Sequence, residues 1–341
     1  MELLKELVNA FGPSGYEQPV REILMRELKK HVDEVHVDKF GNLIGHKKGA
    51  GSKVMLAAHM DEIGLMVRKV TSEGHLHLAA VGGVDPLSIV GQQAIVKSFN
   101  GSYSCTGIIT FADMHNGLEI EELPGMDGVY VDVGLSRSQL AKKGISVGSY
   151  VVPNHHFAYL GSNQFITGKA LDNRVGCYAL LEVARKLKRV KTPDVYFIFT
   201  VQEEIGMHGA KVSTYELDPD WGVAVDTIEA DDAETDAAVS LGKGPALLLM
   251  DSEVITNRCL NEHLMNLSKH KKIPLQLKVE DAGTTDATNI MLTKTSVPSA
   301  SLVVPVRNIH TTVSVSHTKD IDNMIKLLVE LLKKPPKICL V

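Results

Sequence analysis

Apolar and polar positions fall into three successive rhythms along the 341 residues. Up to about residue 45 they form two helical stripes, split by Gly12-Pro13-Ser14-Gly15. Ser14 and Glu17 stand at capping-box spacing, which predicts a second helix over about 16–31. Val35–Val37 and Asn42–His46 predict a short hairpin around Phe40-Gly41. Lys53–Ala58 then has the apolar run of a strand buried on both faces, ending in His59-Met60-Asp61-Glu62-Ile63-Gly64.

From about Leu65 to Phe157 the period shortens to two. Leu65–Val70, His75–Leu78, Gln93–Val96, Tyr103–Ile109, Gly128–Val133 and Ser149–Val152 read as short strands between Gly and Pro turns. No long helix fits among them, so this stretch predicts a small all-β barrel or sandwich. After Gly168, strands alternate with helices. Asn173–Lys188, Asn261–His270 and Met324–Lys333 read as helices; Val195–Val201, Gly222–Val225, Gln276–Val279 and Ala300–Val306 read as strands. That alternation predicts an α/β class fold, a mostly parallel sheet with helices on both faces. The organisation expected is an α/β domain built from residues 1–64 and 158–341, with a β-barrel domain, 65–157, inserted.

Composition narrows the function classes. Hydrophobic residues make up 44% and charged residues 23%, which supplies ample core and excludes a disordered or collagen-like chain. The net charge of −5 has no basic stripe behind it, so neither nucleic acid nor a membrane surface is an expected partner. No apolar run approaches the ~18 residues of a membrane helix. Glu2, Lys5 and Glu6 interrupt the apolar N-terminus, which reads as an amphipathic helix and not as a signal peptide. Cys105, Cys177, Cys259 and Cys339 form no CxxC pair and are expected as reduced thiols in a cytoplasmic protein.

The candidate chemistry lies where the predicted strands stop. His59 follows Lys53–Ala58, Glu203-Glu204 follow Val195–Val201, Asp226 follows Gly222–Val225, and His310 lies beyond Ala300–Val306. Asp172 opens the helix after Lys169-Ala170-Leu171. Open α/β sheets bind ligands in the crevice beyond the carboxyl ends of their strands. Singly, each residue has an ordinary explanation: Asp172 as a helix cap, His59 and His310 as satisfied polar groups, Glu203-Glu204 as a solvated turn. Their coincidence at strand ends does not. Imidazoles with carboxylates and no thiolate suit zinc, cobalt or manganese, and one bridging carboxylate would allow two ions. Adjacent carboxylates also divide labour, because successive side chains point apart. Glu203 is then free as a general base and Glu204 as a ligand. Other motifs fail. Gly49-Ala50-Gly51-Ser52-Lys53 reverses a phosphate loop and precedes a strand, and Gly12-Pro13-Ser14-Gly15 lacks the strand that feeds a nucleophile elbow. His155-His156, His75 and His77 read as surface.

Six segments together resemble one family. They are Ala58-His59-Met60-Asp61-Glu62-Ile63-Gly64, Ala170-Leu171-Asp172-Asn173-Arg174, Gln202-Glu203-Glu204-Ile205-Gly206, Ala224-Val225-Asp226-Thr227, Leu241-Gly242-Lys243-Gly244-Pro245 and Arg307-Asn308-Ile309-His310. In order and across essentially the whole chain, it resembles the tetrahedral (TET), or glutamyl (deblocking), aminopeptidases, two-metal exopeptidases with a phosphorylase/hydrolase-like metallopeptidase body. The resemblance implies two divalent cations, zinc or cobalt foremost. It implies Asp172 as their bridge, His59 and Asp226 at one ion, and Glu204 and His310 at the other. Glu203 is implied as the base acting on the bridging water and Asp61 as the residue orienting His59. The inserted barrel is implied to dimerise, the dimers to form a tetrahedral dodecamer, and short peptides to be the substrates. Two such cations would offset four of the five excess negative charges.

Three positions depart from the family's pattern. Met207-His208 stands where an Arg is common, Ser314 where a Glu follows the last ligand, and Ala282-Gly283-Thr284-Thr285-Asp286-Ala287 carries an extra Thr. That loop, with Thr285 and Asp286 as substrate-binding residues, and Ile228–Ala238 are expected to line the pocket for the first side chain. Two other readings use the same residues: a related carboxypeptidase or amide deacylase with the same ligand cage, and an inactive scaffold of the same fold. The presence of all five ligand positions and the base disfavours the scaffold.

Overall fold

A computed structural model of the chain describes residues 1–111, 125–233 and 237–337. Helices α1 (Glu2–Asn9) and α2 (Gln18–Leu28) precede strands β1 (Glu34–Val37), β2 (Leu43–Lys47) and β3 (Lys53–His59). The insertion follows: β4 (Gly64–Val70), β5 (Leu76–Val81), the single turn α3 (Pro86–Ile89), β6 (Gln93–Lys97), β7 (Ser104–Phe111), β8 (Val129–Asp132), α4 (Arg137–Lys142) and β9 (Tyr150–Pro153). The chain then returns through β10 (Ala158–Leu160), β11 (Ser162–Gly168), α5 (Leu171–Leu187), β12 (Asp194–Thr200), α6 (His208–Leu217) and β13 (Trp221–Glu229). β14 (Ala246–Met250), α7 (Arg258–Lys271), β15 (Gln276–Val279), α8 (Asp286–Met291), β16 (Ser299–Arg307), β17 (Ser314–His317) and α9 (Thr318–Lys333) follow.

The apolar run of β3 is explained by two covered faces. Val54, Leu56 and Ala58 enter the core shared with α5, α7 and α9, while Met55 and Ala57 enter a second core with Ala210 of α6 and Ala287 and Ile290 of α8. Successive strand residues point to opposite faces, so a strand between two helical layers needs apolar residues throughout. The four central strands, in the order β12-β3-β13-β16, run parallel. Antiparallel pairs extend the sheet to eleven strands: β2 and β1 beyond β12, and β17, β11 and β10 beyond β16. β14 and β15 branch from β16. The alternating strands close into a six-stranded antiparallel barrel, β4-β5-β8-β7-β6-β9. Leu65 and Val67, Leu76 and Leu78, Ala94 and Val96, and Val129 and Val131 fill it at the expected period of two.

Three local expectations are corrected. Ser14 and Glu17 do not form a capping box. The Ser14 hydroxyl donates to Asp61 at 2.6 Å and Glu17 accepts the Gly15 N–H at 2.7 Å, so both side chains are claimed before α2 begins. Asp172 does not open the regular helix directly: it and Asn173 have non-helical backbone angles, joined by a cis peptide bond, ahead of the regular turns of α5. Cys259 is disulfide-bonded, not a reduced thiol, which removes the thiol argument for a cytoplasmic setting. Cys105 and Cys177 are free, as expected, and Cys339 lies outside the described residues. Among the described residues no helix is long and apolar enough to cross a membrane.

Candidate active site

The register of the parallel strands brings the candidate residues to one place. His59 ends β3 opposite Thr200, and the pairing of Ala57 with Ala224, carried two residues on, sets Asp226 beside His59. His59 Nε2 lies 3.1 Å from Asp172 Oδ1, 3.4 Å from Asp226 Oδ1 and 3.9 Å from Glu203 Oε2. On the other side His310 Nε2 lies 3.3 Å from both Asp172 Oδ2 and Glu204 Oε2. All six residues expected from the strand ends therefore converge. Asp172 stands in the middle, with one carboxylate oxygen toward each imidazole.

The electrostatics of this cluster ask for cations. Burial and the neighbouring acids raise the Glu203 and Asp226 carboxyls, and push Glu204 up to about 7. Hydrogen bonds to Asp172 and Glu204 lift His310 to about 11. Burial opposes the charge of His59, yet Asp226 and Glu203 drive it well above its usual range. Burial likewise opposes ionised Asp172, but His310 and His59 hold it far below the usual carboxylate range. Glu204 Oε1 is buried without a hydrogen-bond partner. His59, Asp172 and Glu204 offer ligand atoms within 4.8 Å of one another. Donor separations of 3.1–3.4 Å are close to the ~3.4 Å edge of a tetrahedron with ~2.1 Å metal–ligand bonds. The residues fit divalent metal.

Backbone carboxylate clamps hold the turn that carries Glu203 and Glu204. Asp61 accepts the N–H groups of Glu203 at 3.1 Å and Glu204 at 3.2 Å, and its Oδ1 is 3.4 Å from His59 Nδ1. Glu17, its carboxyl raised to about 7 by burial and by Asp61, accepts the N–H of Gln202 at 3.3 Å. Asn42 completes the hold from below, accepting from Val201 N–H and donating to the Gly209 carbonyl. Sequence reasoning missed Ser14, Glu17 and Asn42 as supports. Local spacing gave no signal for them, since Ser14 reaches Asp61 across 47 residues and Glu17 reaches Gln202 across 185. Glu229 accepts the N–H groups of Asn308 and Ile309 at 2.9 and 2.8 Å, fixing the loop that carries His310. Ser314, where a Glu was expected, donates to the carbonyls of Asn308 and Thr311 in that loop.

The barrel also touches the site. A Cβ on Gly83, just past β5, would lie 2.8 Å from His310 Nδ1. Gly83→Ala should therefore displace His310 and lower kcat by about ten- to a hundredfold, since small misplacements of a working group cost that much. Thermal melting of the variant should stay unchanged, and steady-state kinetics beside a melting curve checks both.

Beyond the cluster a cleft of about 620 Å³ opens, bordered by Met207, Ile228, Glu229, Leu248 and the 282–285 loop. Thr285 is at this wall, capping α8 and sharing a 3.1 Å hydrogen bond with Ser301. Asp286 lies beneath it, 1% exposed, taking the Thr200 hydroxyl at 2.6 Å with its other oxygen unpartnered. Of the 228–238 stretch, Ile228 and Glu229 line the cleft, and residues 234–236 lie outside the described residues.

Known proteins resemble this chain along its length. A lysyl aminopeptidase of Pyrococcus furiosus is 35% identical over 341 residues, covering 98% of this chain and 96% of its own. The solved structure of an aminopeptidase from the archaeon Desulfurococcus kamchatkensis matches with a TM-score of 0.93 at 35% identity, covering 98% of this chain and 94% of that one. The Pyrococcus horikoshii TET1 peptidase, described as assembling into a tetrahedron or a large octahedral shell, matches at 0.88 and 31% identity, over 98% and 99% of the two chains. The family model for the M42 glutamyl aminopeptidases matches residues 41–327, from the hairpin before His59 to well past His310. With strand-end cluster and whole-chain likeness in agreement, the chain belongs to the M42 glutamyl aminopeptidase family and is an aminopeptidase.

Proposed function

We propose that this aminopeptidase removes N-terminal residues from short peptides with two divalent cations, zinc or cobalt, and with Glu203 as general base. The observation that carries the reading is the double-facing Asp172. Its Oδ1 meets His59, which Asp226 also approaches, and its Oδ2 meets His310, which Glu204 also approaches. His59 with Asp226 would hold one ion, His310 with Glu204 the other, and Asp172 both. When bound, such cations polarise a scissile carbonyl and acidify water. Glu203 borders the cleft, and of the two imidazoles only His59 comes within 4 Å of it, at 3.9 Å. In this reading its carboxylate takes a proton from the attacking water and returns it to the leaving amine. Asp61 would act on the site through the backbone of Glu203 and Glu204 and through His59. Thr285 would border the first side chain, with Asp286 fixed behind it.

We further propose that residues 65–157 form the dimerisation domain and that dimers assemble as closed shells, a reading supported by the likeness to the TET1 peptidase. Treatment with a strong chelator should abolish turnover of aminoacyl reporters, and zinc, cobalt or manganese should restore it. Metal analysis should find two ions per chain. Chelator-resistant turnover, or cleavage of N-acetylated peptides in place of free ones, would sink the proposal.

A further inference from the structure

We infer that the cleft selects peptides whose first residue carries a long cationic side chain, lysine or arginine, with Asp251 and Glu280 as the specificity determinants. This rests on the aminopeptidase reading and adds the substrate class. β14 and β15 run parallel, and Met250 pairs with Val279 at their carboxyl ends. Asp251 and Glu280 are the next residues on each, so two carboxylates stand on strands ~4.8 Å apart. The Glu280 N–H donates to the Met250 carbonyl at 3.0 Å, which locks the two ends together. Both residues line the cleft that holds the metal-competent cluster, and Ile228, Leu248 and Ile309 supply apolar wall.

The carboxylates differ in how far they are engaged. Asp251 is 5% exposed; its Oδ1 accepts the Glu253 and Val254 N–H groups, both at 2.9 Å. Its Oδ2 is met by the Thr284 hydroxyl at 3.4 Å, beyond the ~2.5–3.0 Å of an ordinary O–H···O bond. Glu280 has Lys278 at 3.3 Å, but that ammonium is shared with Asp231 at 3.5 Å and is not part of the wall. Among the described residues no Lys or Arg lines the cleft, and the charged groups outside the cluster are Glu229, Asp251 and Glu280. An aliphatic stem along the apolar wall with a cationic tip satisfies Asp251 Oδ2. An apolar side chain would leave that oxygen only the long Thr284 contact, and a glutamyl side chain would add like charge to a wall with no cation. The family's description as glutamyl therefore does not extend to first-residue preference here.

Reporters with one leaving group and N-terminal Lys, Arg, Leu or Glu test this on the assembled, metal-loaded enzyme. kcat/KM for Lys and Arg should exceed Leu by about tenfold and Glu by about a hundredfold. Free lysine should inhibit at lower concentration than leucine or glutamate. Asp251→Asn, which keeps the Oδ1 acceptor, and Glu280→Gln should each lower the Lys-to-Leu ratio about tenfold, and Glu280→Lys should raise turnover of Glu relative to Lys. Faster turnover of Leu or Glu than of Lys by the unaltered enzyme overturns the inference and leaves the aminopeptidase reading standing. Silence on all four reporters removes both.

Discussion

Glu203→Gln should lower kcat by about 10³- to 10⁴-fold while the protein keeps its fold and its metal. Glutamine has the shape of glutamate, and the Glu203 N–H still donates to Asp61, so the turn stays where Asp61, Glu17 and Asn42 hold it. What is lost is a carboxylate able to take and return a proton. The control is its neighbour. Glu204→Gln removes a charged oxygen 3.3 Å from His310 Nε2 and should lower the metal content itself. Turnover and metal stoichiometry measured on both variants separate base from ligand. A Glu203→Gln enzyme retaining a tenth or more of its turnover would falsify the assignment, and so would one that lost its metal.

The convergence of His59, Glu203, Glu204 and Asp226 was legible in the sequence because it rests on strand ends. A strand buried on both faces is apolar through its length, as Val54–Ala58 and Phe197–Phe199 are, so the first charged residue beyond it marks the crevice. The barrel was legible for a related reason, since one buried face imposes strict alternation on Leu65–Val67, Leu76–Leu78 and Val129–Val131. α6 escaped detection because the face it buries is Gly209, Ala210, Ser213 and Thr214, which carries no apolar stripe. Gly209 is required there, as an added Cβ would come within 2.6 Å of the Val201 backbone. β10 and β11 escaped because Ala158–Leu160 and Ser162–Gln164 are exposed at a sheet edge. The supports of the site were hidden for another reason. Whether Ser14 caps its own helix or bonds Asp61 is decided by which segment the fold brings near, and local spacing carries no record of that.

The buried cation beneath the site leads to the other large effect. Arg174→Met should destabilise the protein by about 3–5 kcal/mol, the usual result of removing one member of a buried ionic network, and lower Tm by about 5 °C. Arg174 is fully buried; Nη1 donates to the Leu7 and Ala10 carbonyls, and Nη2 to the Gly12 carbonyl and to Glu62. Methionine fills the volume and leaves the Leu7 and Gly12 carbonyls without that donor. Lys169, which meets both oxygens of Glu62 at 2.7 Å, should matter less. Burial holds its pKa down to about 8, below the ordinary 10.5, so its charge is costly in the folded state. That cost is full below about pH 8 and fades as pH rises toward 10.5, because the unfolded chain binds this proton more tightly. The unaltered protein should therefore gain stability from this group across that window, and Lys169→Met should lose that slope while melting closer to the unaltered protein at pH 7. Because Arg174 ties down the segment from which Ser14 reaches Asp61, its loss should also expose residues 10–17 to proteolysis and loosen the Glu203-Glu204 turn. Melting curves from pH 7 to 10, with limited proteolysis alongside, distinguish the two residues. Equal destabilisation by Lys169→Met and Arg174→Met at pH 7 would show that the hold on the N-terminal turn belongs to Glu62 and not to the guanidinium.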